Sequence, residues 1–138
     1  MLKGFTCGAF DLLHAGHILM FKEIRAQCDF LIVGLQKDPS TTDKSYRGKK
    51  KNKPIETVEE RKIKLEGCRY IDQIILYNTE ADLYDLLKEL KPDIRFLGAD
   101  WEGKHFTGDD LPIKVIFNSR GHDYSSSNLR KRILDNLN

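Results

Sequence analysis

The sequence predicts an α/β domain built on a doubly wound parallel sheet of five strands in the order 3-2-1-4-5. Three observations predict it. Short apolar runs alternate with segments of helical periodicity, the pattern of strands joined by crossover helices. One run, DFLIVGL at residues 29–35, is almost continuously apolar, as in a strand buried on both faces. The chain has 138 residues, 40% hydrophobic and 32% charged, which suits one globular domain over residues 1–138 and is too short for two. Right-handed crossovers then leave few topologies.

The elements follow in order. Leu2 to Cys7 is the first strand. Gly16 to Gln27 is a helix with Ile18, Leu19, Phe21 and Ile24 on its apolar face. Asp29 to Leu35 is the second strand, and Gln36 to Lys53 is a long polar loop. Thr57 and Glu60 spell a capping box that starts a helix running to about Gly67. Asp72 to Leu76 is the third strand. Thr79 caps a helix carrying Leu83, Leu86, Leu87 and Leu90, which Pro92 ends. Ile94 to Leu97 is a strand, Gly98 to Pro112 a loop, Ile113 to Phe117 the last strand, and Ser125 to about Asn136 the last helix.

Bulk properties narrow the function classes. The net charge of +2 makes no strong polyanion binder of the whole molecule, so any basic function is local and no nucleic acid is expected as a partner. No apolar stretch is long enough to span a bilayer, and the N-terminus lacks the apolar core of a signal peptide. Cys7, Cys28 and Cys68 are odd in number and widely spaced, which favours free thiols and a cytoplasmic location.

In doubly wound sheets a ligand binds at the carboxyl ends of the strands where the winding reverses, here between strands one and four. Two unusual loops leave those ends: CGAFDLLHAGH from Cys7 and GADWEGKHFTG from Gly98. A helix beginning near Ala15 puts His14 at its mouth and His17 in its first turn. Backbone N–H groups and the helix dipole attract phosphate at that place. Gly16 lets a phosphate oxygen approach, and Gly8 permits a sharp exit from the strand. Two surface histidines at a helix start are the plainer alternative; a metal site needs a third ligand that no spacing supplies. Ser125 to Ser127 open the last helix and form a second anion site of the same kind, with Arg130 in reach of a triphosphate. An ordinary serine cap with solvated arginines is the plainer reading there.

GAFDLLHAGH resembles the H-x-G-H signature of the nucleotidyltransferase superfamily. GADWEGK (Gly98 to Lys104) and RYIDQII (Arg69 to Ile75) are similar to the glycerol-3-phosphate cytidylyltransferase family. The resemblance implies a Rossmann-like fold, CTP as donor, Mg²⁺ as cofactor, release of pyrophosphate and a homodimer. The segment SSSNLR (Ser125 to Arg130) instead looks like the corresponding motif of adenylyltransferases. The catalytic residues so implied are His14, His17, Lys44 and Arg120. The nucleotide-binding residues are Cys7, Gly8, Ala9, Phe10, Asp11, Gly16, Arg61, Gly98, Asp100, Trp101, Ser125, Ser126, Ser127 and Arg130. Asp11 is the candidate magnesium partner, or else it fixes the loop. Lys44 belongs to the basic run KSYRGKKKNK (Lys44 to Lys53), long enough for a lid over the phosphates.

A phosphate monoester acceptor is already an oxyanion at neutral pH and needs no general base. Positioning and charge stabilisation then carry catalysis, and this chain supplies donors and cations rather than a Ser-His-Asp set. Weighting the Trp101–Glu102 loop over the serine segment, the expected reaction is cytidylyl transfer from CTP to glycerol 3-phosphate or a similar small phosphomonoester. The alternatives are an adenylyltransferase acting on a sugar phosphate or cofactor precursor, and a non-catalytic nucleotide- or RNA-binding module.

Overall fold

The computed structural model describes residues 1–41, 53–119 and 121–137. Five parallel strands form one sheet: β1 Lys3–Gly8, β2 Phe30–Gln36, β3 Gln73–Tyr77, β4 Ile94–Gly98 and β5 Lys114–Asn118. Four helices connect and flank them: α1 Ala15–Arg25, α2 Val58–Glu66, α3 Glu80–Leu90 and α4 Ser126–Asp135. The strand order is β3-β2-β1-β4-β5, as the alternating pattern predicts. The central strand β1 pairs with β2 from Lys3↔Phe30 to Gly8↔Leu35, and with β4 at Gly4↔Ile94 and Phe5↔Arg95. Its carboxyl end lies at the switch point, since α1 and α3 pack on opposite faces.

Alternation along the strands builds those faces. Leu31, Val33 and Leu35 of β2 and Phe96 of β4 meet Phe21 and Ile24 of α1 and Leu65 of α2. Phe5 and Ile32 point the other way, onto Leu83 and Leu87 of α3. Each of these large apolar side chains stabilises the fold by about 1.5–3 kcal/mol on burial. Leu19, expected on the apolar face of α1, is 45% exposed.

The helix starts follow local chemistry. Thr57 accepts from the Glu60 amide at 3.1 Å while the Glu60 carboxylate takes the Thr57 amide at 2.9 Å. Thr79 and Asp82 repeat that exchange at α3. α3 ends at Leu90 because Lys91 turns left-handed, φ 47°, just before Pro92.

The exit from β1 differs from expectation. Gly8 stays within the strand, and the left-handed turns fall on Phe10 (φ 50°) and Leu12 (φ 51°). Non-glycine residues hold that conformation only where the surroundings fix it. Here the Phe10 ring is buried 5.3 Å from the ring of Phe21, and the Leu12 amide donates to Glu56 Oε1 at 2.7 Å.

Candidate active site

A cavity of about 570 Å³ opens at the switch point. His14, Gly16 and His17 line it from the start of α1, Gly98 and Asp100 from the end of β4, and Ser125 and Ser126 from the start of α4. The two unusual loops therefore meet, as the topology predicts.

The histidines are held by an exchange of hydrogen bonds in which imidazoles replace the usual capping side chains. His14 is the N-cap, and its Nδ1 accepts from the Gly16 amide at 3.0 Å. His17 Nδ1 accepts from the His14 amide at 3.1 Å. An Nδ1 that accepts must leave the proton of the neutral ring on Nε2. Both imidazoles thus carry their N–H donors on the outer nitrogens. The rings lie 3.9 Å apart at 35°. Burial, then the nearby His14, His122 and Lys64, lowers the His17 pKa from 6.5 to about 4, so the ring is neutral at pH 7. No acidic residue occupies the first turn of α1 or α4, leaving the positive end of each dipole without a compensating carboxylate in its own first turn.

The lowered pKa has a testable consequence. The folded state disfavours the His17 imidazolium that the unfolded chain forms below pH 6.5, so the neutral ring's advantage is present above pH 6.5 and lost as pH falls towards 4. Denaturant unfolding from pH 7 to 4 is expected to show a steeper loss of stability for the native chain than for His17→Asn. Parallel curves would contradict the shift.

Gly16 is required by space rather than by φ. A Cβ there would lie 2.6 Å from Cε1 of His122 and 2.8 Å from Cε1 of His14. Gly16→Ala is expected to change thermal stability little, since alanine's helix preference of about 1 kcal/mol is offset by about 1 kcal/mol as the displaced His14 ring loses its cap to the Gly16 amide. Turnover is expected to fall at least tenfold as the His14 ring, with that of His122, is pushed aside. Unchanged turnover would show that their placement is unimportant.

His122 was not among the residues that the sequence singled out. It lines the cavity, and its ring lies 5.4 Å from that of Tyr124. Its segment, RGHDY, has no periodicity or glycine frame of the kind that marks His14 and His17.

Other expected nucleotide ligands make contacts within the protein. Arg61 is 2% exposed and all its visible donors go to backbone carbonyls. Nε donates to Glu56 at 3.1 Å, Nη1 to Ala9 at 2.9 Å and Gln36 at 2.7 Å, and Nη2 to Lys37. Through these four carbonyls it ties α2 to the exits of β1 and β2. Ala9 takes part through that carbonyl, and Phe10 is core, with its ring 5.7 Å from His17 in an edge contact. Asp11 accepts from the amides of Ile55 at 2.8 Å and Glu56 at 3.0 Å, and Arg130 Nη2 lies 3.4 Å away. Both carboxylate oxygens of Asp11 thus fix the loop, the second of its two expected roles, and they do not fit a metal ligand. Among the described residues no three His, Cys, Asp or Glu side chains gather to hold an ion. Arg130 is drawn to Asp11, and Ser127 is exposed and lines neither this cavity nor the one described next. Lys44 and Arg120 lie outside the described residues.

Cys7, Gly8 and Trp101 line a separate cleft of about 120 Å³, together with Tyr77, Glu80, Arg95, Leu97, Phe106 and Thr107. Among the described residues none lines both cavities. Glu102, Gly103 and Lys104 are exposed. The Trp-Glu-Gly loop therefore does not face the histidines, although it leaves the strand beside them. All three cysteines are free, and among the described residues no helix is long and apolar enough to cross a membrane.

The profile of the family described as Cytidylyltransferase-like matches residues 5–132. The chain belongs to that family. It is 38% identical to the bifunctional protein HldE of Wolinella succinogenes over 111 residues, covering 80% of this chain and 22% of that one. It is 37% identical to HldE of Campylobacter curvus over 131 residues, covering 95% and 27%. The chain thus spans about a quarter of the length of these relatives. Among solved structures, a lipopolysaccharide core biosynthesis protein from Thermoplasma volcanium superposes with a TM-score of 0.68 at 29% identity, covering 89% of this chain and 99% of that one. The pantoate-beta-alanine ligase of Francisella tularensis shares the fold, with a TM-score of 0.60 at 17% identity over 94% of this chain and 65% of that one. These similarities place the family member within the nucleotidyltransferase superfamily, as the H-x-G-H resemblance implies.

Proposed function

We propose that this domain transfers an adenylyl group from ATP to a sugar phosphate, giving an ADP-sugar and pyrophosphate. The observation that carries the transfer is the pair of imidazoles whose Nδ1 atoms are engaged by the backbone and which line a cavity shared by two helix N-termini. In the reaction an anionic oxygen of the acceptor phosphate attacks the α-phosphorus. A new O–P bond forms, the bond from the α-phosphorus to the bridging oxygen breaks, and pyrophosphate departs with the electron pair. No proton has to be removed from the acceptor. His14 and His17, prealigned by the backbone, donate hydrogen bonds to the oxygens on which charge grows, and the α1 amides add theirs. The serine-capped start of α4 receives the outer phosphates. Magnesium is proposed only as a companion of the triphosphate, held by phosphate oxygens and water, where it would offset charge.

Two observations favour ATP over CTP. The cytidylyl expectation leaned on Trp101 and its neighbours, and Trp101 lies in the other cleft. The segment resembling adenylyltransferases, Ser125 to Arg130, reaches the cavity through Ser125 and Ser126 and supports ATP as a family marker, not through contact with the base, since it meets phosphates. The sugar acceptor is supported by the likeness to a protein of lipopolysaccharide core biosynthesis, a saccharide assembly. Calorimetric titration with ATP and CTP tests the base. Tighter binding of ATP by tenfold or more is expected; preference for CTP would restore the cytidylyl reading on the same site. The homodimer implied by the resemblance is proposed alongside and is read by sedimentation.

A further inference from the structure

We infer that the small cleft behind β1 is a hydroxyl-reading subsite, in which Glu80 and Arg95 bracket a diol of the acceptor. The inference rests on the reading of this domain as a transferase acting on a phosphomonoester.

Arg95 is the reason to expect a ligand. It is 3% exposed, lines the cleft, and its Nε is buried with no hydrogen-bond partner. Its Nη1 donates to the Thr107 carbonyl, and its guanidinium lies 5.1 Å from the centre of the Phe106 ring. Among the described residues no carboxylate reaches it within ion-pair distance. A buried donor left unmade costs about 1–3 kcal/mol, more on a charged group.

The other groups decide the chemistry of the occupant. Glu80 stands at the start of α3, and its Oε2 accepts from the Thr107 hydroxyl at 2.6 Å. The cleft therefore holds a carboxylate and a guanidinium that do not pair with each other. An added anion would meet Glu80, and an added cation would meet Arg95. A hydroxyl both donates and accepts, so two neighbouring hydroxyls satisfy the carboxylate and the guanidinium together with no change in charge. Tyr77 lines the same wall; burial, and then Cys7 and Glu80, push its phenol well above the ordinary value, so it stays a neutral donor. Phe106 and Trp101 supply apolar surface for the C–H faces of a polyol.

Position completes the argument. At about 120 Å³ the cleft is smaller than the roughly 300 Å³ of an ordinary ligand pocket, so it takes part of a molecule whose remainder lies elsewhere. Leu97 lines this cleft and the adjacent Gly98 lines the histidine cavity. The two cavities thus open at the same end of β4, on consecutive residues.

The test compares ethyl phosphate, glycerol 3-phosphate and a set of hexose and heptose 1-phosphates, by calorimetric binding and by pyrophosphate release at saturating ATP. At least one sugar phosphate is expected to bind tenfold or more tightly than ethyl phosphate. Glu80→Gln and Arg95→Lys are each expected to erase most of that ratio, with the KM for ATP within about twofold of the native value. Thermal unfolding checks that each variant is folded, and Glu80→Gln, on a partly exposed helix start, serves if Arg95→Lys is not. Equal affinity for ethyl phosphate and every sugar phosphate overturns the subsite, as does a Glu80→Gln variant with an unaltered ratio. A sugar acid binding more tightly than its neutral counterpart would replace the diol by an anion. If the ratio behaves as expected but no nucleotide yields pyrophosphate, the subsite stands and the transferase reading fails. If pyrophosphate is released and Glu80→Gln leaves the acceptor preference intact, the reverse holds.

Discussion

Removing the imidazole of either His14 or His17 is expected to cut turnover by on the order of 10²-fold or more while the fold persists. The two residues test different parts of the arrangement. His14 is also the N-cap of α1, and losing a cap costs about 1 kcal/mol, a small part of the roughly 5–15 kcal/mol of a domain. His14→Ser keeps a capping oxygen and removes only the outer donor. It is expected to be as stable as the native chain and as impaired as His14→Ala. His17→Asn keeps a short polar group near the His14 amide and loses the Nε2 donor. Steady-state kinetics with a denaturation curve for each variant checks both. A His14→Ser variant with native turnover would reduce His14 to a capping residue.

The second large effect is on stability. Arg61→Leu is expected to lower unfolding free energy by about 3–5 kcal/mol, or to prevent folding, because the carbonyls of Ala9, Gln36, Lys37 and Glu56 lose a shared donor inside the protein. Burial lowers the Arg61 pKa, with Asp11, Asp38 and Glu56 opposing. The guanidinium nonetheless remains charged, as arginine does in proteins. Arg61→Lys is expected to recover only part of the loss, since one ammonium cannot span four acceptors in a planar fork. Urea unfolding of both variants measures this. A stable Arg61→Leu with a raised KM for nucleotide would return Arg61 to the phosphate role that the sequence suggests.

Arg61 also shows where sequence reading stops. An arginine four residues after a helix cap looks the same whether it meets a phosphate or four carbonyls; only the distance between α2 and the exits of β1 and β2 decides. The helix starts were legible because Thr57 and Thr79 are bonded within three residues of themselves. The strand order was legible because apolar runs and crossovers constrain it. His14 and His17 were legible because their partners, too, are local: Gly16 and each other's backbone. The face to which a residue at a strand exit turns was not legible. Cys7 and Trp101 flank the same switch point as His14 and Gly98, yet they line the opposite cleft. Asp11 was ambiguous for the same reason, since its partners at Ile55 and Glu56 lie 44 and 45 residues away. Arg95 hides in a strand that reads as apolar, and His122 in a loop that has no pattern.

The central claim is that the imidazole-lined cavity joins a nucleotide to a phosphomonoester. A pyrophosphate-release assay of the four nucleoside triphosphates against sugar, polyol and alkyl phosphates measures it directly, with His17→Asn run beside the native chain. The account predicts release with ATP and a sugar phosphate, dependent on both substrates and at least 10²-fold slower in His17→Asn. Pyrophosphate release that persists at the native rate in His17→Asn, or that appears with no pairing of triphosphate and phosphomonoester, would contradict it.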